Sequence, residues 1–67
     1  MKRELQPHQA RVIVEKTELD EKLSKLGPFL ESDIFAKLNI VERGQLHRQY
    51  KAMSDYSKIL GERIALF

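Results

Sequence analysis

The sequence contains no cysteine and no tryptophan, only three glycines and two prolines, and 7% aromatic residues. Without cysteine, disulfides and thiolate metal ligands are excluded, and the two histidines, His8 and His47, lie too far apart in the sequence for a ligand motif. No apolar run approaches the roughly 20 residues of a membrane-spanning helix. Residues 1–16 have no apolar segment typical of a secretory signal. We therefore expect a cytoplasmic protein with no metal, no cofactor and no membrane association.

The length of 67 residues allows one domain. A chain this short buries only about 60% of its unfolded surface, so it needs disulfides, a metal, very good helix packing or oligomerisation. The first two are excluded here, which favours a homo-oligomer. The net charge of +2 is too small to predict binding to a nucleic-acid polymer. The 33% of charged residues, with few breakers, is typical of a helical protein.

Apolar residues recur every seven positions in two long segments, a period that keeps them on one side of a helix. Gly27–Pro28 interrupts the first segment, because proline removes a helical hydrogen bond. The pattern predicts an all-α domain. Its parts are a flexible arm at 1–6, helix 1 at 7–31 with a kink near 27–28, a short helix at 33–38, and helix 2 at 40–67.

Two helices with a short connection should pack as an antiparallel hairpin. One register pairs Leu26 with Leu46, Leu19 with Met53, and Val12 with Leu60. The hairpin is expected to associate into a helical bundle. The predicted core and oligomer residues are Val12, Leu19, Leu26, Leu46, Met53, Leu60 and Phe67.

The same register also pairs polar residues beside the apolar seam. These pairs, which we call the polar ladder, are His8 with Arg63, Glu15 with Tyr56, and Lys22 with Gln49. Three interpretations remain open. The side chains extend into water at an edge, or they fix the register of an oligomer interface, or they line a ligand groove. In a groove, arginine and lysine would bind phosphate and the tyrosine ring would stack on a base. The candidate ligand-binding residues are His8, Arg11, Glu15, Lys22, Gln49, Tyr56 and Arg63.

Helix 2 also has a basic strip on its outer face. Arg43, His47 and Lys51 form a basic strip at spacing i, i+4, i+8 on helix 2, which is ordinary for a solvated helix face. Catalysis is not expected, because the sequence has no nucleophile elbow, phosphate loop or metal-ligand motif. His8 with Glu15 could do acid–base work only in a closed pocket, for which so short a chain has little room.

The segments PHQARVIVEKTELDEKLSKLGPFL and QLHRQYKAMSDYSKILGERIALF resemble a family of small phage and prophage helical proteins related to crAss-like phages. The resemblance covers residues 7–67. It rests on His8–Gln9–x–Arg11 and on Tyr56–Ser57–x–x–Leu60–x–x–Arg63–Ile64. The sequence departs from the family pattern at Gly27–Pro28, where a continuous helix is expected, and at Val14, where an acid is common.

In size and architecture the chain is also similar to anti-CBASS sponges, small phage proteins that oligomerise and sequester cyclic nucleotide signals. The resemblance implies a phage counter-defence protein in the host cytoplasm that binds a cyclic (oligo)nucleotide and does not cleave it. Two alternatives are a helical inhibitor or adaptor of a host or phage protein, and a structural or nucleic-acid-associated phage accessory protein.

Overall fold

The computed structural model describes residues 4–67 and contains three helices, α1 (Pro7–Phe29), α2 (Asp33–Ala36) and α3 (Ile40–Ala65). No strand occurs in this part of the chain, so the all-α prediction is confirmed. The molecule is a rod of 53 × 15 × 15 Å. Residues 1–3 of the predicted arm at 1–6 lie outside the described residues, and residues 4–6 are exposed and not helical.

Each helix is two residues shorter at its carboxyl end than the sequence predicts, with the predicted ends at residues 31, 38 and 67. The reason is the same for all three helices. The backbone N–H groups just after each helix donate to the carbonyl three residues earlier, and these bonds form a tight turn in place of a further α-helical turn. Ser32 N–H donates to the Phe29 carbonyl at 3.0 Å, and Leu38 N–H donates to the Phe35 carbonyl at 3.0 Å. In α1, the chain stays helical through Gly27 and Pro28 and ends at the next residue.

Short-range polar contacts define where the helices begin. Pro7 is the first residue of α1, where its missing N–H has no partner to lose. At α3 the Asn39 side chain accepts a hydrogen bond from Glu42 N–H at 2.9 Å, and its amide donates to the Glu42 carboxylate at 3.2 Å. Asparagine at this position typically stabilises a helix by about 1 kcal/mol.

The core lies between α1 and α3. Val12, Leu19 and Leu60 form the buried cluster, and Leu60 is fully buried at 0% exposure. Four half-buried side chains pack against this cluster: Leu23, Met53, Ile64 and Phe67. Of the other predicted core residues, Leu26 and Leu46 are half-buried. Contacts between the helices include the bond from Lys16 in the middle of α1 to Ser57 in α3 and the approach of Gly27, near the end of α1, to the Tyr50 ring.

At the turn end of the rod, α2 supplies one further buried side chain. Phe35 is 7% exposed and contacts two rings edge-on, Phe29 at a centroid distance of 6.1 Å and His47 at 5.2 Å. His47 belongs to the predicted basic strip on the outer face of helix 2, but its ring also contacts Phe35 in this aromatic cluster. The Ser32 hydroxyl accepts from Phe35 N–H at 3.1 Å and holds α2 in place.

Candidate ligand-binding flank

The α1–α3 seam has two flanks. Along a helix, residues three and four positions after a seam residue lie on opposite sides of it. We call the side of Gln49, Tyr56 and Arg63 the open flank, and the side of Tyr50 and Ser57 the closed flank. On α1, the open flank carries His8, Glu15, Lys22 and Phe29, and the closed flank carries Lys16 and Leu23.

Polar contacts cross the seam on the closed flank. Lys16 Nζ donates to Ser57 Oγ at 3.0 Å and to Asp20 Oδ2 at 2.7 Å, and Ser57 Oγ donates to Asp20 Oδ1. The ammonium group of Lys16, with the Ser57 hydroxyl, lowers the pKa of Asp20 below its usual range. Ser57 is only 7% exposed, so its hydroxyl needs these partners. The network joins the middle of α1 to the middle of α3.

Two glycines bring the helices together on the same flank. A methyl group on Gly61 would lie 3.3 Å from Lys16 Cε, and one on Gly27 would lie 3.5 Å from the Tyr50 ring. The stem of Lys16 therefore crosses α3 over a residue without a side chain. The closed flank is packed as well as hydrogen-bonded.

The predicted ligand-binding residues lie on the other side of the seam. All seven are exposed: His8, Arg11, Glu15, Lys22, Gln49, Tyr56 and Arg63. In the described part of the chain, no hydrogen bond or ion pair joins the two helices here. The polar groups of this flank therefore add no polar contact to the pairing of α1 with α3.

One predicted pair of the ladder, Lys22 of α1 and Gln49 of α3, lines a groove of about 440 Å³ near the turn end of the rod. Its other lining residues are Lys25, Leu26, Phe29 and Met53. The groove thus combines two ammonium groups, one amide and an apolar wall, while the His8, Glu15, Tyr56 and Arg63 side chains lie outside it.

Apolar side chains continue the open flank along α3. Tyr56, Ile59 and Leu66 are 41%, 52% and 84% exposed. Their spacing of three and seven residues places them on one face, beside Arg63. We call these three side chains the exposed apolar stripe.

Sequence reasoning missed the Lys16–Asp20–Ser57 network and the contribution of Lys25 to the groove. A signal was present, because Ser57 and Gly61 are small residues one turn apart beside the α3 seam. Small residues there allow a long side chain from α1 to cross. The larger polar side chains of the opposite flank give the stronger signal in the sequence.

The geometry offers little for metal or membrane chemistry. Among residues 4–67 no group of three or more histidine or acidic side chains could hold a metal ion. Nor does any helix in that range have the length and apolarity needed to cross a bilayer. The arrangement is that of a small all-helical protein with an exposed polar and apolar flank.

Comparison with known proteins identifies the family. The Sequestin family model matches residues 6–66, so the chain belongs to the Sequestin family. It is also similar to an uncharacterized 7.5 kDa protein from the denB–rIIB intergenic region of Enterobacteria phage T4. The two are 40% identical over 60 residues, which cover 90% of this chain and 94% of the relative. No solved structure matches. The resemblance to small phage proteins is confirmed, and the relation to crAss-like phages stays a prediction.

Proposed function

We propose that this protein is a phage counter-defence protein that binds and sequesters a cyclic (oligo)nucleotide in the host cytoplasm. The name of the family denotes sequestration, and the T4 relative is a phage protein. The observation that carries the proposal is the groove of the open flank, where Lys22, Lys25 and Gln49 surround an apolar wall. Cations next to an apolar surface suit a ligand made of phosphates and flat bases.

Each part of the groove has a matching part of the ligand. The ammonium groups of Lys22 and Lys25 would bind phosphate oxygens through charge-assisted hydrogen bonds. Phe29 and Met53 would contact the face of a base, since aromatic surfaces stack on nucleobases. The Gln49 amide can both donate and accept, which suits a base edge or a ribose hydroxyl. Arg63 and Tyr56 would extend the same chemistry along the flank.

The proposal includes a homo-oligomer. Only four hydrophobic side chains are buried in the described chain, namely Val12, Leu19, Phe35 and Leu60. A core of this size gives little stability to a domain of this length. A second copy that covered Tyr56, Ile59 and Leu66 would bury the exposed apolar stripe and form a helical bundle. The ladder would then lie at a boundary between subunits.

Sequestration requires binding without cleavage. Among residues 4–67, the buried hydroxyl with a cation beside it is that of Ser57, which is 7% exposed and donates a hydrogen bond to the Asp20 carboxylate. Lys16, its neighbour, is bound to the same carboxylate at 2.7 Å. This network stabilises the helix pair and gives a substrate no access. We therefore propose that the bound nucleotide is not cleaved.

Calorimetry with a panel of cyclic di- and trinucleotides tests the proposal. We expect one or more of them to bind, and the double substitution Lys22→Ala with Lys25→Ala to weaken that binding by tenfold or more, about 1.4 kcal/mol. Lys58→Ala is the matched control, because Lys58 is exposed on another face of α3. Chromatography of the recovered ligand should show it intact. No heat with any member of the panel would contradict the proposal.

The exposed stripe also supports the alternative of a helical inhibitor or adaptor. Amphipathic helices bind partner proteins through apolar anchors at this spacing. If the cyclic nucleotides do not bind and affinity purification returns one stoichiometric host or phage protein, this alternative is favoured. Ile59→Asp and Leu66→Asp should then abolish recovery of that partner.

A further inference from the structure

Helix α3 carries an apolar row that α1 leaves exposed. Its members are Ala52, Ile59 and the capping residue Leu66, each one position before a side chain that packs in the core with α1. We call this row the outer seam. A spacing of seven keeps the three residues on one side of the helix, and all three are exposed, Ile59 at 52% and Leu66 at 84%. A long helix with an apolar row of this spacing is suited to pair with a second helix.

The molecule exposes more surface than a compact monomer of its mass. Its accessible area is 5551 Å². Folded monomers of 7.9 kDa expose about 4,400 Å². The excess of roughly 1,100 Å² over that scaling is comparable to the area that each partner buries in a stable interface, about 800 Å². The area therefore agrees with a chain whose surface is completed by a second copy.

Two polar rows border the outer seam, because residues three and four positions from a seam residue lie on opposite sides of it. The Gln49 row, on the open flank, consists of Gln49, Tyr56 and Arg63, and the Arg48 row, on the other side, consists of Arg48, Asp55 and Glu62. All six side chains are exposed. The Asp55 carboxylate binds Lys51 through Oδ2 at 3.0 Å, which leaves Oδ1 for a second donor. Beside the outer seam, one row thus offers a guanidinium and a phenol, and the other offers two carboxylates.

The charges of the two rows favour one direction of pairing. In an antiparallel pair the two-fold axis runs across the helices, so each row faces the same row of the partner. Asp55 would then approach the partner's Glu62, and contacts between like charges oppose association. In a parallel pair the axis runs along the helices, and each row faces the other row of the partner. Arg63 then meets the partner's Glu62, and the Tyr56 hydroxyl meets the partner's Asp55.

We propose that two copies of this chain pair in parallel through their outer seams. Each residue of the seam then contacts its own counterpart, as in other two-fold interfaces of parallel helices. The pairing removes Ile59 and Leu66 from water. It also fixes the register, because a shift by one helical turn would separate Arg63 from the partner's Glu62. This inference rests on the homo-oligomer of the proposed function and specifies its surface, direction and symmetry.

The parallel pair adds a residue to the proposed ligand site. Gln49 faces the partner's Arg48 in this arrangement, and Gln49 lines the groove that also contains Lys22 and Lys25. The lining of the groove does not include Arg48 of the same chain. The partner's guanidinium would give the edge of the groove a third cation, of the kind that binds phosphate bidentately.

Single cysteines test the direction of pairing, because the chain has none of its own. Ala52→Cys, Ile59→Cys and Leu66→Cys should each give a disulfide-linked dimer under mild oxidation, since each position meets its counterpart closely enough for a disulfide. Lys58→Cys, exposed on another face of α3, is the control and should stay unlinked. An antiparallel pair would link at no more than one of the three positions, and that result would overturn the proposal.

A charge exchange tests the polar rows. Arg63→Glu should weaken the dimer about tenfold in analytical ultracentrifugation, because it would place two carboxylates in contact. Glu62→Arg in the same chain should restore the affinity, since the ion pair re-forms with its charges exchanged. A dimer that the first substitution leaves unchanged would overturn this interface and leave the homo-oligomer in place, whereas a monomeric parent protein would overturn both. Neither experiment needs a nucleotide, so their results are separate from those of the calorimetry panel.

The contribution of the partner to the groove has its own test. With a cyclic nucleotide that binds, Arg48→Ala should weaken binding about tenfold, the effect of losing one hydrogen bond to a charged group. The dimer should persist, because the outer seam is unchanged. Lys58→Ala again serves as the control. An unchanged affinity for the Arg48 variant would overturn the role of the partner's Arg48 in the groove.

Discussion

Both flanks of the α1–α3 seam carry polar side chains, but they use them differently. On the closed flank, Lys16, Asp20 and Ser57 bind one another across the seam, and Gly61 lets them approach. On the open flank, Lys22 and Gln49 face each other across an apolar groove and make no such bond. Polar groups that satisfy each other stabilise the helix pair. Those that remain free are the candidates for binding, and substitutions should separate these two roles.

The largest effect on stability is expected at the core between the flanks. Leu60→Ala removes the one side chain that is fully buried within residues 4–67 and should cost about 2–5 kcal/mol in the free energy of unfolding. For so small a domain this loss approaches the whole stability. Ile59→Ala, next in sequence but 52% exposed, should cost much less. Urea denaturation followed by circular dichroism measures both, and equal losses would contradict the assigned core.

A smaller loss is expected on the closed flank. Ser57→Ala removes the hydroxyl that joins Lys16 to Asp20 across the seam, and should cost about 1 kcal/mol, a typical net value for hydrogen bonds. Ser54→Ala, a half-buried serine one turn earlier, serves as the control and should change stability by less than about 0.5 kcal/mol. A Ser57 variant as stable as the parent protein would show that the network contributes nothing.

Glycine substitutions compare the packing of the closed flank with that of an open surface. Gly44→Ala has nothing within 4 Å of the new methyl group and should gain about 1 kcal/mol from helix propensity. Gly61→Ala should gain less, because Lys16 Cε lies 3.3 Å from the added carbon and must move. The thermal unfolding midpoints of the two variants measure this difference in stability. The opposite order would mean that the flank is loosely packed.

The smallest expected effect is a pH dependence of stability. Because Lys16 and Ser57 lower the pKa of Asp20 in the folded state, the folded protein holds that proton less tightly than the unfolded chain. The contribution is therefore complete above the unfolded pKa of about 3.9 and is lost as the pH falls through the lower folded value. Asp20→Asn should flatten this part of the acid unfolding curve, whereas Asp55→Asn, an exposed partner of Lys51, should not.

The heptad spacing was sufficient to predict an all-α fold with two long helices. The antiparallel register and the binding role of the ladder stay predictions. The spacing could not predict which polar residues cross the seam, because this depends on a small side chain, Ser57, and on the absence of one at Gly61. The heptad pattern also could not predict the tight turns that end each helix two residues early. Phe35 illustrates a third limit, since its burial depends on contacts with Phe29 and His47 from two other segments.

The most direct test of the account is an amide NMR titration of the protein with the tightest-binding cyclic nucleotide of the panel. We predict that the largest shifts fall on the open flank, at Lys22, Lys25 and Gln49, while the amides of Lys16, Asp20 and Ser57 stay unchanged. Shifts centred on the Lys16–Asp20–Ser57 network would contradict the account, because they would place the ligand on the flank that we assign to stabilising the fold.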